Sequence, residues 1–308
     1  MVIKVCITER TNLNENLIQN HPDFEFVINP FEADFVIAQS TVRCPELAKK
    51  TIYIAIEPPR TDHRIFCYNN FKEFLLVACH NPIGENEIPF TDNDSPQFYP
   101  TRADPYPFRT REDTTFNNCG VFYAGMINQM NDSPDACGGQ NITHLRNVLG
   151  EYFQKTEPFS KDTKILGIGW GNQVVKVDNW REDKLEQIDN SNCDFVLALE
   201  NTIYPNYLYE KIWDGFTSDR VTLYLGDPNI EKHIPVDCFI DLRQWYNSDN
   251  KEIDVVGLGE YLMNMKQKDY DKILNNARKF RETSVGKFRE YMDKFTNKLI
   301  DFMLANGK

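Results

Sequence analysis

The sequence predicts an α/β protein of two domains, each built on a parallel sheet. Three observations lead there. At 308 residues the chain is long for one open α/β domain and comfortable for two. Short runs rich in Val, Ile and Phe alternate with polar segments, and each run is apolar on both parities, as strands covered on both faces are. The alternation stops over residues 81–118, where Pro82, Pro89, Pro96, Pro100, Pro105 and Pro107 fall among many Asn, Asp and Thr, and then resumes.

Taken in order, the first strands are expected at Val2–Ile7, Phe24–Ile28, Asp34–Ala38, Thr51–Ile56 and Phe74–Cys79, with a short helix or turn at Cys44–Lys50. Proline removes a backbone donor and restricts its predecessor, so 81–118 reads as a long loop and interdomain connection. A second α/β unit opens with a strand at Gly120–Gly125. A helix follows at Asn141–Lys155, with Leu145, Val148, Leu149 and Tyr152 on one face. Strands are expected at Lys164–Ile168, Phe195–Leu199 and Val221–Leu225, with a helix at Tyr207–Phe216 between the last two. Residues 256–308 read as mostly helical. The division is 1–115, 116–290 and a C-terminal helix at 291–308.

Charge and composition narrow the function. Hydrophobic residues make up 41% and charged residues 26%, which suits a globular chain. The net charge of −12 is the wrong sign for coating nucleic acid or an anionic membrane. No run approaches the ~18 apolar residues of a membrane span, and the N-terminus reads as a strand rather than a signal peptide. A cytoplasmic location is the expectation. The eight cysteines are scattered with no C-x-x-C pair, so they are expected to be reduced and mostly buried. Sequons at Asn93, Asn131 and Asn141 are read as unused.

The densest chemistry lies between Phe195 and Phe216. An apolar strand runs into Glu200-Asn201; after a turn with Pro205, Tyr207 and Glu210-Lys211 occupy the opening turns of a helix. A helix start favours phosphate, and Lys211 adds a formal charge. Glu210 suits sugar hydroxyls, and Tyr207 offers a flat face for a base or sugar ring. Those parts fit a nucleotide sugar. They equally fit a capped amphipathic helix with a solvated Glu-Lys pair.

This stretch resembles the donor motif of the family 10 α-1,3/1,4-fucosyltransferases: Leu199-Glu200-Asn201-Thr202, then Tyr207-Leu208-Tyr209-Glu210-Lys211. The next strand and its Gly226-Asp227-Pro228 turn resemble the family's Gly-x-Pro turn, and Pro235 to Asp241 resembles a further family segment. Leu199 stands for the usual Phe and Tyr209 for the usual Thr. Upstream, His144-Leu145-Arg146-Asn147 resembles a helix whose arginine contacts the donor pyrophosphate. Thr51 to Pro59 resembles a strand followed by Glu-Ser-Pro, with Glu57 in the glutamate position and Pro58 in place of Ser.

The resemblance implies a GT-B fold of two facing Rossmann-like domains, the first binding the acceptor glycan and the second the nucleotide sugar. It implies an inverting transfer of L-fucose from GDP-fucose. Glu57 would take the acceptor proton, with Glu85, Glu87, Asp92 and Asp94 as rival bases. Arg146 and Lys211 would stabilise the leaving diphosphate, while Glu200, Asn201, Tyr207 and Glu210 complete the donor site. The alternatives are another donor such as UDP-xylose, or a non-catalytic nucleotide-sugar or glycan-binding relative. No cofactor or metal is expected: Asp92-Asn93-Asp94 is a D-x-D away from any strand end, and His21, His63, His80, His144 and His233 have no ligand spacing. Gly167-Ile168-Gly169-Trp170-Gly171 lacks the Lys and Ser of a phosphate loop and reads as a tight turn.

Overall fold

The computed structural model describes residues 2–8, 13–38, 44–54, 74–79, 87–89, 108–117, 120–124, 139–167, 170, 180–208 and 210–307. The first sheet comprises β1 Ile3–Ile7, β2 Phe24–Phe26, β3 Phe35–Ala38, β4 Thr51–Ile54, β5 Leu76–Cys79 and β6 Glu87–Pro89. All pairings are parallel, in the order β2-β1-β3-β4-β5-β6. Every residue of β3 and β4 is buried, which is why both parities are apolar in sequence. Helices α1 Glu15–Gln19 and α2 Pro45–Ala48 lie between strands. Strand β6 falls inside the proline-rich stretch that had been expected to form a loop. It is three residues long, closes the strand order and ends on Pro89, where a missing N–H costs least.

The second half supplies β7 Val121–Ala124, β8 Gln140–Asn141, α3 His144–Lys155, β9 Lys164–Leu166, α4 Trp180–Asp189, β10 Phe195–Leu199, β11 Thr202–Ile203, α5 Glu210–Thr217, β12 Val221–Leu225, β13 Ile240–Asp241, β14 Tyr246–Asn247, β15 Glu252–Ile253 and α6 Val255–Asn264. Five of these strands form a parallel sheet in the order β13-β12-β10-β7-β9. Two elements start later than their sequence suggests. Asn141 pairs with Thr202 across β8 and β11, and its Oδ1 takes the Thr143 N–H, so α3 begins at His144 rather than at 141. The Tyr207 N–H donates to the Tyr204 carbonyl in a turn where Asn206 has φ 63°, so α5 begins at Glu210 rather than at 207.

Helix α4 is absent from the expectations because its apolar stripe is short. Leu185 and Ile188 face the sheet, and between them and the first turn the buried Lys184 pairs with the buried Asp214 of α5. Paired with an opposite charge, an otherwise polar position becomes an inward one.

The chain ends in α7, a single helix over Gln267–Asn306, about 60 Å long at 1.5 Å per residue. The C-terminal helix drawn at 291–308 is the last part of it. Near its start, Tyr270 and Leu274 enter the core of the second sheet. Near its end, Phe295, Leu299, Ile300 and Met303 join Ile3, Val5, Phe35, Ile37, Ile52 and Ile54 in the core of the first. Asn14 ties the same end to α1 by donating to Thr296 Oγ1 at 3.0 Å and to Asp293 Oδ1 at 2.7 Å. No helix among the described residues is long and apolar enough to cross a membrane.

Candidate functional site

In the second sheet the chain runs from β7 outward to β9, then returns to the other side of β7 as β10. The carboxyl ends of β7 and β10 therefore flank the point where the strand order reverses, the place where open parallel sheets bind ligands. Five of the six donor-site residues expected from the sequence gather here. Glu200 directly follows β10 and is fully buried; its N–H donates to the Leu225 carbonyl of β12 at 2.9 Å. Lys211, in the first turn of α5, donates to Glu200 Oε2 at 2.8 Å and lies 3.6 Å from Glu210 Oε1.

Burial by itself would push the Lys211 ammonium down. Glu200 and Glu210 outweigh both burial and the opposing Arg146, so its pKa lies above the ordinary lysine value. Lys211 is therefore held as a cation without any ligand. Arg146, on the first turn of α3, donates one amino group to the Leu199 carbonyl at 3.3 Å and to Asn201 Oδ1. Its buried Nε has no hydrogen-bond partner among the described residues. Asn201 is fixed in turn, its carbonyl accepting from the Ile142 N–H at 3.3 Å. Two cations and two carboxylates sum to zero charge. A diphosphate arriving here would meet ammonium and guanidinium groups already oriented by acceptors.

Tyr207 differs from its expected role. Its ring is buried against Tyr204 instead of lying open as a platform, because the turn at Asn206 folds it inward. Leu199 is wholly buried in the core beneath Glu200, so its difference from Phe is a matter of core packing. Tyr209 lies outside the described residues. Two residues that sequence reasoning passed over belong to this region. Tyr123 of β7 is buried with Arg146 and Lys211 as its charged neighbours; burial lifts its phenol pKa and the two cations partly offset that. Asp227, two residues past β12, is fully buried and accepts from the Asn206 N–H. The only sequence signal for either was position at a strand's carboxyl end.

Glu57 lies outside the described residues, three positions beyond the end of β4; Glu85, Asp92 and Asp94 also lie outside them. Glu87 opens β6. At the glycine-rich segment, Gly167 has φ 131° and its carbonyl accepts from the Trp170 N–H at 3.3 Å, a turn that requires glycine. Among the described residues no three His, Cys, Asp or Glu side chains converge as metal ligands would. Cys6, Cys193 and Cys238 are buried thiols, and Cys44 is a half-buried one.

Comparison with known proteins places these elements. Residues 155–294 match the family model described as glycosyltransferase family 10 (fucosyltransferase) C-term. The chain is 38% identical over 72 residues to 4-galactosyl-N-acetylglucosaminide 3-alpha-L-fucosyltransferase 9 of Homo sapiens and of Bos taurus, and 36% identical to that of Mus musculus. Each match covers 21% of this chain and spans 20% of the relative's own length. Among solved structures, an alpha1,3-fucosyltransferase superposes with a TM-score of 0.57 at 15% identity, covering 96% of this chain and 90% of that one. An alpha1,3-fucosyltransferase with GDP-fucose superposes with a TM-score of 0.52 at 15% identity, covering 89% and 81%. At that identity the likeness is one of fold, and the fold is GT-B.

Proposed function

We infer that this chain, whose residues 155–294 match the C-terminal model of glycosyltransferase family 10, transfers L-fucose from GDP-fucose to a glycan hydroxyl with inversion. The observation that carries the reading is the joining of Arg146, Glu200, Asn201 and Lys211 at the strand-order reversal of the second sheet. That is a pre-charged diphosphate site inside or beside the segment the family model matches. The division at 1–115 and 116–290 is kept as part of the proposal, with α7 bridging the two parts.

In the proposed step the acceptor oxygen bonds to the anomeric carbon, the carbon–oxygen bond to GDP breaks, and the acceptor proton passes to Glu57. Arg146 and Lys211 stabilise the charge that builds on the departing diphosphate, the term that usually dominates such reactions. Glu210 and Asn201 orient donor hydroxyls, and Tyr207 acts from behind by shaping the turn. The two cationic side chains take the place of a metal, so transfer is expected to persist in excess EDTA. A reducing, cytosol-like compartment is proposed on the strength of the buried free thiols.

The test is a thermal-shift and hydrolysis screen against GDP-fucose, GDP-mannose, UDP-xylose, UDP-galactose and UDP-glucose. A ligand at a hundred times its Kd stabilises the fold by about 2.7 kcal/mol, which raises Tm visibly. GDP-fucose is expected to do so and to be hydrolysed or transferred. Stabilisation by a UDP-sugar alone would move the assignment to another donor, and binding without turnover would make the chain a binding relative.

A further inference from the structure

We propose that Asp227 is a positioning residue for the donor: its buried carboxylate latches the turn at Tyr204–Leu208 onto the loop after β12, and so sets where Glu210 and Lys211 stand. The ligand named here rests on the fucosyl-transfer reading above; the latch itself does not. In sequence, Asp227 occupies the open position of the Gly226-Asp227-Pro228 turn, to which the family resemblance assigns no residue.

The contacts form a closed ring. Asp227 Oδ1 accepts from the Asn206 N–H at 2.9 Å and from the Asn229 N–H at 2.9 Å, while its own N–H donates to Tyr224 Oη at 2.9 Å. Asn206, held at φ 63°, stands four residues before Glu210. Lys211 then reaches back to Glu200 Oε2 at 2.8 Å. Glu200 packs on Gly226, where any added Cβ would overlap the Glu200 side chain. Gly226 adjoins Asp227 and closes the ring. Displacing the carboxylate frees the turn, and through it the start of α5.

The electrostatic setting makes this a costly way to hold a turn. Asp227 is wholly buried, and burial raises its pKa to about 6 against the pull of its two N–H partners; Glu231 raises it further and Arg243 lowers it. Tyr224 and Glu200 face the same space. His233 Nε2 lies 3.5 Å from Oδ2, but burial and Lys232 lower the imidazole to about 4, so it is neutral near pH 7 and offers no counter-charge. A carboxyl group raised in the folded state above its unfolded value of ~3.9 stabilises the fold when protonated. That contribution is present below about pH 4 and lost as pH rises through 6. The ionised group therefore works against stability at neutral pH while making two charge-assisted bonds to the turn. A group serving packing alone would be better as its neutral isostere.

The experiment compares wild type with Asp227→Asn, which keeps the shape and removes the charge. At about pH 7.5, where the wild-type carboxyl is ionised, Tm should be unchanged or higher. Donor KM should rise roughly tenfold or more, the scale of loss that follows small misplacements of a site, with kcat changed less. The GDP-fucose Kd of the wild type should rise as pH drops through about 6, and the variant should lack that rise. An unchanged KM, or a pH-dependent rise in Kd that persists in the variant, would overturn the proposal. Amide exchange at residues 204–208, read on the same two proteins, separates the latch from the ligand. If wild type binds neither GDP nor GDP-fucose, the donor reading falls and takes the donor-positioning role with it. Faster exchange in the variant would still support the latch, and equal exchange would sink it.

Discussion

A charged residue in this site works only with the neighbours that hold it. Lys211 is kept cationic by Glu200 and Glu210, and Arg146 is aimed by Leu199 and Asn201. Lys211→Ala and Arg146→Ala should each weaken GDP binding and cost transfer roughly 2–4 kcal/mol in the transition state, measured as the fall in kcat/KM. Lys211→Ala also leaves Glu200 buried beside Glu210 without its ammonium, so it should lower Tm as well. Normal GDP affinity in both variants would show that the anion binds elsewhere. The base is a separate question. Glu57→Gln keeps shape but cannot accept a proton, so it should spare donor binding and lower transfer by about 10²–10⁴-fold. Should Glu57→Gln transfer sugar normally while Glu85→Gln or Glu87→Gln does not, the base belongs to the 81–95 stretch.

At the scale of elements, one carboxylate fastens α7 to the second sheet. Asp219, at φ 57° in the turn between α5 and β12, accepts from Arg278 Nε at 2.8 Å, from Arg281 Nη1 at 3.1 Å and from the Arg111 backbone N–H at 2.9 Å. Burial pushes the Asp219 carboxyl up, but these donors prevail and its pKa lies below the ordinary carboxylate value. A depressed folded pKa means stability that is present above the unfolded value of ~3.9 and is lost as pH falls through the folded one. Asp219→Asn tolerates the same backbone conformation and leaves Arg281 buried without its charge partner. It should destabilise by about 3–5 kcal/mol at neutral pH. Denaturant midpoints measured across pH should converge for the two proteins below about pH 4; midpoints that coincide at pH 7 would show the arginines to be satisfied without it.

For the molecule as a whole, the last turns of α7 complete the core of the first sheet. Leu299 is fully buried there with Ile37 and Ile52. Leu299→Ala should cost about 2–5 kcal/mol by the loss of burial and the cavity left behind. Removing residues 292–308 should uncover the sheet and abolish cooperative folding of the N-terminal part, read by amide exchange in β1, β3 and β4. Protection that survives the truncation would show that part to be stable by itself. The two ends of the chain meet in one core, so this arrangement could be read only in three dimensions.

The sequence by itself determined the strands of the two parallel sheets, β6 and β13 excepted, and the contents of the 199–211 stretch. Strands covered on both faces are written as continuous apolar runs, and residues 199–211 lie close enough along the chain for their spacing to carry chemical meaning. It also put Arg146 on a helix, since helix periodicity survives a shift of three residues at the helix start. Tertiary structure decided the rest. Lys184 turns inward because Asp214 meets it, Tyr207 is covered because Asn206 adopts a left-handed turn, and α7 crosses from one sheet to the other because each offers it an apolar face. Asp227 shows the limit most directly. A lone aspartate before a proline reads as an ordinary turn residue, and only the fold brings the Asn206 N–H, 21 positions away in sequence, to its oxygen. Local patterns are fixed by propensity and periodicity along the chain, whereas partners far apart in sequence are chosen by packing, which no single stretch encodes.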